Sequence, residues 1–211
     1  MATLPFGAPL PAIEAHYNLA PSALVPLVRD RPKGREAMLA SWGLVPSWAN
    51  DPSIGHRLIN ARGDSLESKP AFKESYQKRR ALMPADLFYE WQVVDGRKGR
   101  QPWCVRQPDA EPFAFGAMWE RWKPRGQAEG EWLISCTIIT VEPSELLSTI
   151  HDRMPLIIAP RAYDAWLDPS TSHDVVQSLV RTWAGPLEAW PVGMRVNSPK
   201  NDDAECVQPL A

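Results

Sequence analysis

Leu133-Ile134-Ser135-Cys136-Thr137-Ile138-Ile139 is the clearest strand in the sequence. It is short, free of proline and glycine, and dominated by apolar and β-branched side chains, which suits a strand buried in a sheet. The surrounding strand-like segment runs from Trp132 to Val141. Segments of similar length recur on both sides of it, separated by turn residues. Upstream lie Pro112 to Trp119, Gln101 to Arg106, and Ala81 to Val94. The last is interrupted at Pro84 and Asp86 and followed by turn chemistry at Asp95-Gly96 and Gly99. Nearer the start, Leu24 to Val28 and Ala37 to Leu44 flank the polar turn Asp30 to Arg35, and Pro46 to Arg57 reads as a loop. Downstream come Arg153 to Ala159 and Glu188 to Val196.

Helices are few and short. One starts from a cap at Ser68, with Pro70 in its first turn and Phe72 and Tyr76 four apart on one face. Another covers Pro160 to Leu167. A third covers Asp174 to Trp183, capped by Ser172, with Val175, Val176, Leu179, Val180 and Trp183 as its apolar stripe. The pattern predicts an α+β fold: one domain over residues 1–211, with a mostly antiparallel, barrel-like sheet.

Composition narrows the function. The 211 residues are 44% hydrophobic and 23% charged, enough to build a core without a metal or disulfide staple. No apolar run is long enough to cross a bilayer and the first residues do not read as a secretory signal, so a cytoplasmic address and no membrane partner are expected. Cys104, Cys136 and Cys206 are widely spaced and form no cluster with the four histidines, so neither metal nor other cofactor is expected. Cys104 and Cys136 sit in apolar runs, as small core residues do. The net charge of -2 argues against a protein coated in positive charge, yet from Arg57 to Arg80 seven basic residues face three acidic ones. That local excess is the footprint of an anionic partner or of a solvated helix face. Ten tryptophans exceed the needs of this core, so some are expected at the surface, where a flat ring can stack on a base.

Three polar groups sit in otherwise apolar segments: Asn60 in Leu58-Ile59-Asn60-Ala61-Arg62, Glu90 in Leu87-Phe88-Tyr89-Glu90-Trp91, and His151 in Ile150-His151-Asp152-Arg153-Met154-Pro155. A carboxylate between Tyr and Trp risks desolvation, which raises its pKa toward the range useful for proton transfer. Histidine already titrates near neutrality. The structural alternatives are an ion pair of Glu90 with Arg62 or Arg153, and a hydrogen-bonded core histidine at position 151.

Six strings then stand in a telling order. They are Tyr17-Asn18-Leu19-Ala20-Pro21, Ser41-Trp42-Gly43-Leu44-Val45-Pro46-Ser47-Trp48, Asn60-Ala61-Arg62, Pro84-Ala85-Asp86-Leu87-Phe88-Tyr89-Glu90-Trp91, His151-Asp152-Arg153-Met154-Pro155 and Val196-Asn197-Ser198-Pro199-Lys200-Asn201-Asp202. Together they resemble the SRAP (SOS response-associated peptidase) family from about Tyr17 to the C-terminus. Two details depart from the family pattern: Gly63-Asp64 where a Glu commonly follows Asn-Ala-Arg, and Ala81 where a cysteine is common.

The resemblance implies a protein, taken to be a monomer and nucleoid-associated when bound to DNA, that binds abasic sites in single-stranded DNA. In such proteins an N-terminal cysteine, freed by autoproteolytic loss of Met, condenses with the sugar aldehyde to a Schiff base. Its thiol then closes a thiazolidine, leaving a DNA-protein crosslink. Carried over by motif, Glu90 would shuttle protons, His151 would assist sugar ring opening, and Asn60 would orient the N-terminal residue or the lesion. Pro21, Trp48, Arg62, Lys69 and Thr140 fall where the family contacts phosphates and stacks bases. The family's Met-Cys-Gly-Arg opening is not found: position 2 is Ala2, and Phe6 to Pro11 already resembles the stretch before the Tyr-Asn motif. About fifteen residues of the family layout are therefore expected to be missing from the front. The expectation for the chain as given is binding without a stable crosslink. The rival reading is a non-catalytic module for single-stranded nucleic acid; an ordinary peptidase lacks support, since no Ser-His-Asp or Cys-His set stands out.

Overall fold

Proline and turn residues divide the chain into short strands, and the computed structural model shows how they close on one another; it describes residues 14–96, 98–126 and 131–210. The readings of Ala2 and of Phe6 to Pro11 fall outside that range. β1 (Leu24–Arg31) and β2 (Gly34–Trp42) form a hairpin around Pro32-Lys33, registered from Leu24 opposite Ser41 to Arg31 opposite Gly34. A 3-10 turn (Pro52–Arg57) leads to β3 (Asn60–Arg62) and α1 (Pro70–Lys78). β4 (Arg80–Ala85), β5 (Leu87–Val93), β6 (Arg100–Arg106), β7 (Phe113–Trp122) and β8 (Leu133–Val141) follow. Then come α2 (Glu145–Ser148), β9 (Met154–Pro155), α3 (Tyr163–Leu167), α4 (His173–Leu179) and β10 (Glu188–Pro191).

The main sheet runs β2-β1-β4-β7-β8, and β8 returns to β2 through Ser41 opposite Ser135 and Trp42 opposite Cys136. Five strands thus close into a barrel, which leaves no free edge among them. The seam between β2 and β8 is parallel and the other pairings of the barrel are antiparallel. β8 carries two further strands near its C-terminal end: β3 in parallel, with Arg62 opposite Thr140, and β9 antiparallel, with Pro155 opposite Thr140. A smaller sheet, β10-β6-β5, lies beside the barrel. The break between β4 and β5 at Asp86 is where the chain passes from one sheet to the other.

Leu27, Val28, Leu82, Met118 and Ile139 are fully buried in the barrel core, and each such side chain contributes about 1.5–3 kcal/mol. Trp166 of α3 packs into the same core and donates its indole N–H to the Ala81 carbonyl at 2.9 Å. Arg80 is buried as well. Its guanidinium donates to the carbonyls of Tyr76, Gln77, Trp166 and Asp168, tying α1 and α3 to β4. Arg79 meets the buried Glu120 carboxylate at 2.6 Å. Two of the seven cations between Arg57 and Arg80 therefore serve the fold, and the anionic-partner footprint is smaller than the residue count implies.

Several boundaries differ from expectation. The cap of α1 is Lys69, without a side-chain hydrogen bond, because the Ser68 hydroxyl turns back to the Ser65 carbonyl. Arg153 to Ala159 yields only the two residues of β9 plus a single bridge, Phe115 with Ile157. α4 ends at Leu179, and its apolar stripe is partial: Val176 is buried but Val175 is exposed. Glu188 to Val196 is a strand only as far as Pro191, after which residues Met194–Asn197 form a 3-10 turn.

Candidate active site

β5 presents alternate side chains to opposite faces, as a strand must. Tyr89 and Trp91 point one way and hold the chain's terminal segments. The Tyr89 hydroxyl donates to the Tyr17 carbonyl at 2.6 Å, and the Trp91 indole donates to Asn197 Oδ1 at 2.7 Å. These segments are also tied to each other. Asn18 Nδ2 donates to the carbonyls of Val196, Ser198 and Asn201, while Asp202 accepts from the backbone N–H groups of Tyr17 and Asn18 and meets His16 Nδ1 at 2.6 Å. The first and last of the six sequence strings therefore form one clamp.

Glu90 sits on the other face, opposite Trp103 of β6. Its side chain is 16% exposed, and His151 Nδ1 stands 3.7 Å from its Oε2. Burial pushes the Glu90 carboxyl up to about 7; the His151 imidazole opposes that rise and the nearby Asp152 carboxylate adds to it. Glu90 can thus exchange a proton near neutral pH. Its partner is neither Arg62 nor Arg153. Arg62 forms a two-point pair with Asp64, and Arg153 donates to Glu142 at 2.6 Å and to the Thr140 carbonyl at 2.6 Å. Nor is His151 a core histidine, since its side chain is 31% exposed and reaches the surface beside Asp152.

The local chain explains how His151 arrives there. The Ser144 hydroxyl caps α2 by accepting the Leu147 N–H, and the helix ends with the N–H groups of Ile150 and His151 both on the Leu147 carbonyl. β9 then pins the chain to β8. Between these anchors, Gln92 Nε2 donates to the Thr149 carbonyl at 2.7 Å, and Gln92 Oε1 accepts the Trp103 indole N–H at 3.0 Å. Gln92 is two residues beyond Glu90 on the same face, so one strand carries the carboxyl and the amide that tethers its histidine partner. Sequence reasoning missed Gln92. Its only signal was strand alternation from Glu90.

Asn60 and Arg62 are exposed on β3, flanking the buried Ala61. Arg62 lies within electrostatic reach of Asp152 and Glu142, which places it beside the His151 turn. No hydrogen bond or ion pair among the described residues joins Asn60 to Glu90 or His151. Its neighbour Ile59 accepts the Trp42 indole N–H at 2.9 Å, and Trp42 in turn accepts the Ser22 N–H next to Pro21. Pro21, Trp42 and Asn60 therefore line one edge. Trp48 lies elsewhere, toward the N-terminal end of β8, because Trp122, opposite Leu133, donates to the Ala49 carbonyl. The loop bearing Trp48 depends on the close passage of Gly43 and Gly55: a Cβ on Gly43, at φ 138, would lie 2.8 Å from the Gly55 oxygen. Lys69 is exposed at the start of α1.

The cysteines stay out of this chemistry. Cys104, Cys136 and Cys206 are all buried, and burial pushes the Cys104 and Cys136 thiols up to about 12, where the reactive thiolate is scarce at neutral pH. Among the described residues no group of three or more His, Cys, Asp or Glu side chains could hold a metal ion, and no helix is long and apolar enough to cross a membrane.

Residues 7–199 match the family described as SOS response associated peptidase (SRAP). The chain is 40% identical over 204 residues to the abasic site processing protein YoqW of Bacillus subtilis strain 168, an alignment covering 94% of this chain and 89% of that one. It is 31% identical over 198 residues to the abasic site processing protein YedK of Escherichia coli K12, covering 92% and 84%. A crystal structure of a protein from Bacteroides thetaiotaomicron superposes with a TM-score of 0.80 at 25% identity, covering 90% of this chain and 82% of that one. This chain belongs to the SRAP family.

Proposed function

We propose that the protein binds abasic sites in single-stranded DNA and that Glu90 and His151 move protons at the opened sugar. The observation that carries this reading is their pairing at 3.7 Å, with a largely buried mid-strand carboxyl poised near neutrality beside a part-exposed imidazole. The relatives named as abasic site processing proteins support the choice of substrate.

In the cyclic sugar the aldehyde is masked as a hemiacetal. His151 would carry the proton from the anomeric hydroxyl to the ring oxygen as the ring C–O bond breaks. An amine then adds to the aldehyde carbon. Glu90, protonated, gives its proton to the departing hydroxyl and its carboxylate then takes the remaining proton from the nitrogen, so that water leaves and a neutral C=N bond remains. Asn60 and Arg62, on β3, would hold the lesion and its phosphate, with Thr140 of β8 opposite Arg62. Pro21 and Trp48 would stack bases, and Lys69 would meet the backbone further along.

Conversion of the imine to a thiazolidine needs a thiol on the same residue as the amine, which makes ring closure intramolecular. An N-terminal residue without a side-chain thiol supplies the amine alone, and on this reading its adduct stays a reversible imine. The test is a denaturing gel with single-stranded DNA bearing one abasic site, comparing this chain with a version extended upstream to a cysteine. The extended version should give an adduct that survives heat, reduced by Glu90→Gln; this chain should give one only after borohydride trapping. A heat-stable adduct from this chain refutes the imine-only claim. If Glu90→Gln leaves the extended version unchanged, the protein is a binding module without proton-transfer chemistry.

A further inference from the structure

Gly63 follows β3 directly, and Val180, the residue that ends α4, packs against its bare backbone: a Cβ on Gly63 would stand 2.7 Å from Val180 Cγ1. Beside this contact is an open hollow of about 410 Å³, a size that small ligands occupy. Leu66, Val141 and Val180 give it apolar walls. Tyr76 of α1 lines it too, although the residue is only 3% exposed, and among the described residues no hydrogen bond reaches its hydroxyl. Burial pushes that phenol up to about 12, so it remains a donor at neutral pH. Gln177, exposed on α4, adds a side-chain amide that also has no partner among the described residues. A buried donor left open to an apolar hollow calls for a ligand that carries an acceptor.

We infer that this hollow receives the base of a nucleotide next to the abasic sugar, with Tyr76 and Gln177 as its hydrogen-bonding groups. The inference rests on the reading of this chain as a binder of abasic single strands and adds a neighbour's pocket to that site.

Position favours it. Asp64 lines the hollow and holds Arg62 through two hydrogen bonds, while Arg153 lines it and donates to the carbonyl of Thr140, the residue opposite Arg62. The hollow thus adjoins the residues assigned to the lesion and its phosphate. Charge selects the part of the nucleotide. The carboxylates of Asp64, Glu67 and Glu142 outnumber the two arginines of the lining, Arg153 and Arg181, which disfavours a phosphate and leaves a flat neutral ring as the better occupant. The lesion nucleotide has no base to offer, so a neighbour must supply one. Extruding a base from its stack costs least where the strand is damaged or single.

Fluorescence anisotropy tests this with single strands that carry a stable tetrahydrofuran abasic analogue. Thymine flanks the analogue on both sides, and in turn one thymine is replaced by difluorotoluene, which keeps the shape but lacks the strong hydrogen-bonding groups. On one side only, the replacement should weaken binding to the wild type about 3- to 10-fold, as expected for loss of about one hydrogen bond. Tyr76→Phe should cost a similar factor with thymine and nothing further with the isostere. Gln177→Trp, at an exposed position, should plug the mouth and erase the difference between the two bases, which keeps the test open if Tyr76→Phe does not fold. If the isostere matters on neither side, or if both variants keep the wild-type difference, the hollow takes no base; loss of trapped adduct in Glu90→Gln would then leave the lesion site standing. If the wild type binds the abasic strand no better than the intact one, the lesion reading falls and this inference with it.

Discussion

Glu90→Gln should make the protein more stable at pH 8 and leave it little changed at pH 4. In the folded chain the carboxyl is held up at about 7 by burial, against an ordinary value of 4.5. Folding therefore favours the protonated form. The sign follows from proton counting: between about 4.5 and 7 the folded state binds more protons than the unfolded one, so stability falls as pH rises through that window. Above 7 the loss is complete and constant; below 4.5 it is absent. At about 1.4 kcal/mol per tenfold, the interval corresponds to an upper bound of about 3.5 kcal/mol. Glutamine has the same shape and no charge to bury, so it escapes that cost. For a chain of this size, 1 kcal/mol moves Tm by roughly 2–4 °C, so a gain of up to about 14 °C is expected at pH 8. Thermal unfolding followed by circular dichroism at pH 4, 6 and 8 measures it. An equal effect of the substitution at all three pH values, or a loss of stability at pH 8, would show that Glu90 is an ordinary paired carboxylate and would refute the reasoning. Stability gained while adduct formation is lost would mark a side chain kept for function.

Other consequences can be checked separately. Gln92→Ala should release the Thr149 carbonyl and lower the yield of borohydride-trapped adduct while sparing affinity for intact single strands. Gln92→Glu should do worse, because its carboxylate would face that carbonyl; equal yields from all three proteins would remove Gln92 from the site. Asp64→Asn should free Arg62 for phosphate, tightening single-strand binding and steepening its log–log salt dependence by up to about 0.7, read by anisotropy over a salt series. Asn18→Ala should strand three carbonyls of the C-terminal segment and cost about 2 kcal/mol, measured by denaturant unfolding; an unchanged midpoint would mean the clamp contributes nothing.

The barrel was legible because its strands announce themselves locally. Asp86 marks the passage from β4 to β5, whereas Pro84 stays inside β4 opposite Ala114, and the run from Leu133 to Val141 is the strand to which β2, β3, β7 and β9 all pair. Closure through the parallel seam of β2 with β8 was not legible, since no local signal says which distant strand pairs with which. β9 is short because only Met154 and Pro155 pair with β8; beyond them the chain crosses to β7, where Gly116 donates to the Leu156 carbonyl and Ile158 to the Ala114 carbonyl around the single Phe115–Ile157 bridge. In the site, Glu90 and His151 stood out as polar groups in apolar surroundings. Gln92 did not, because its role depends on a carbonyl 57 residues away in sequence. The basic excess around α1 misled in part, because Arg79 and Arg80 are spent on a buried carboxylate and on helix-end carbonyls.

The most direct measurement is the affinity of the purified protein for three oligonucleotides of one length: single-stranded with one abasic site, the same strand intact, and the abasic strand in a duplex. Tightest binding to the first, with the advantage over the intact strand reduced by His151→Ala, is the predicted result. Indifference among the three, or a preference that His151→Ala does not touch, would contradict the assignment of this surface to an opened sugar.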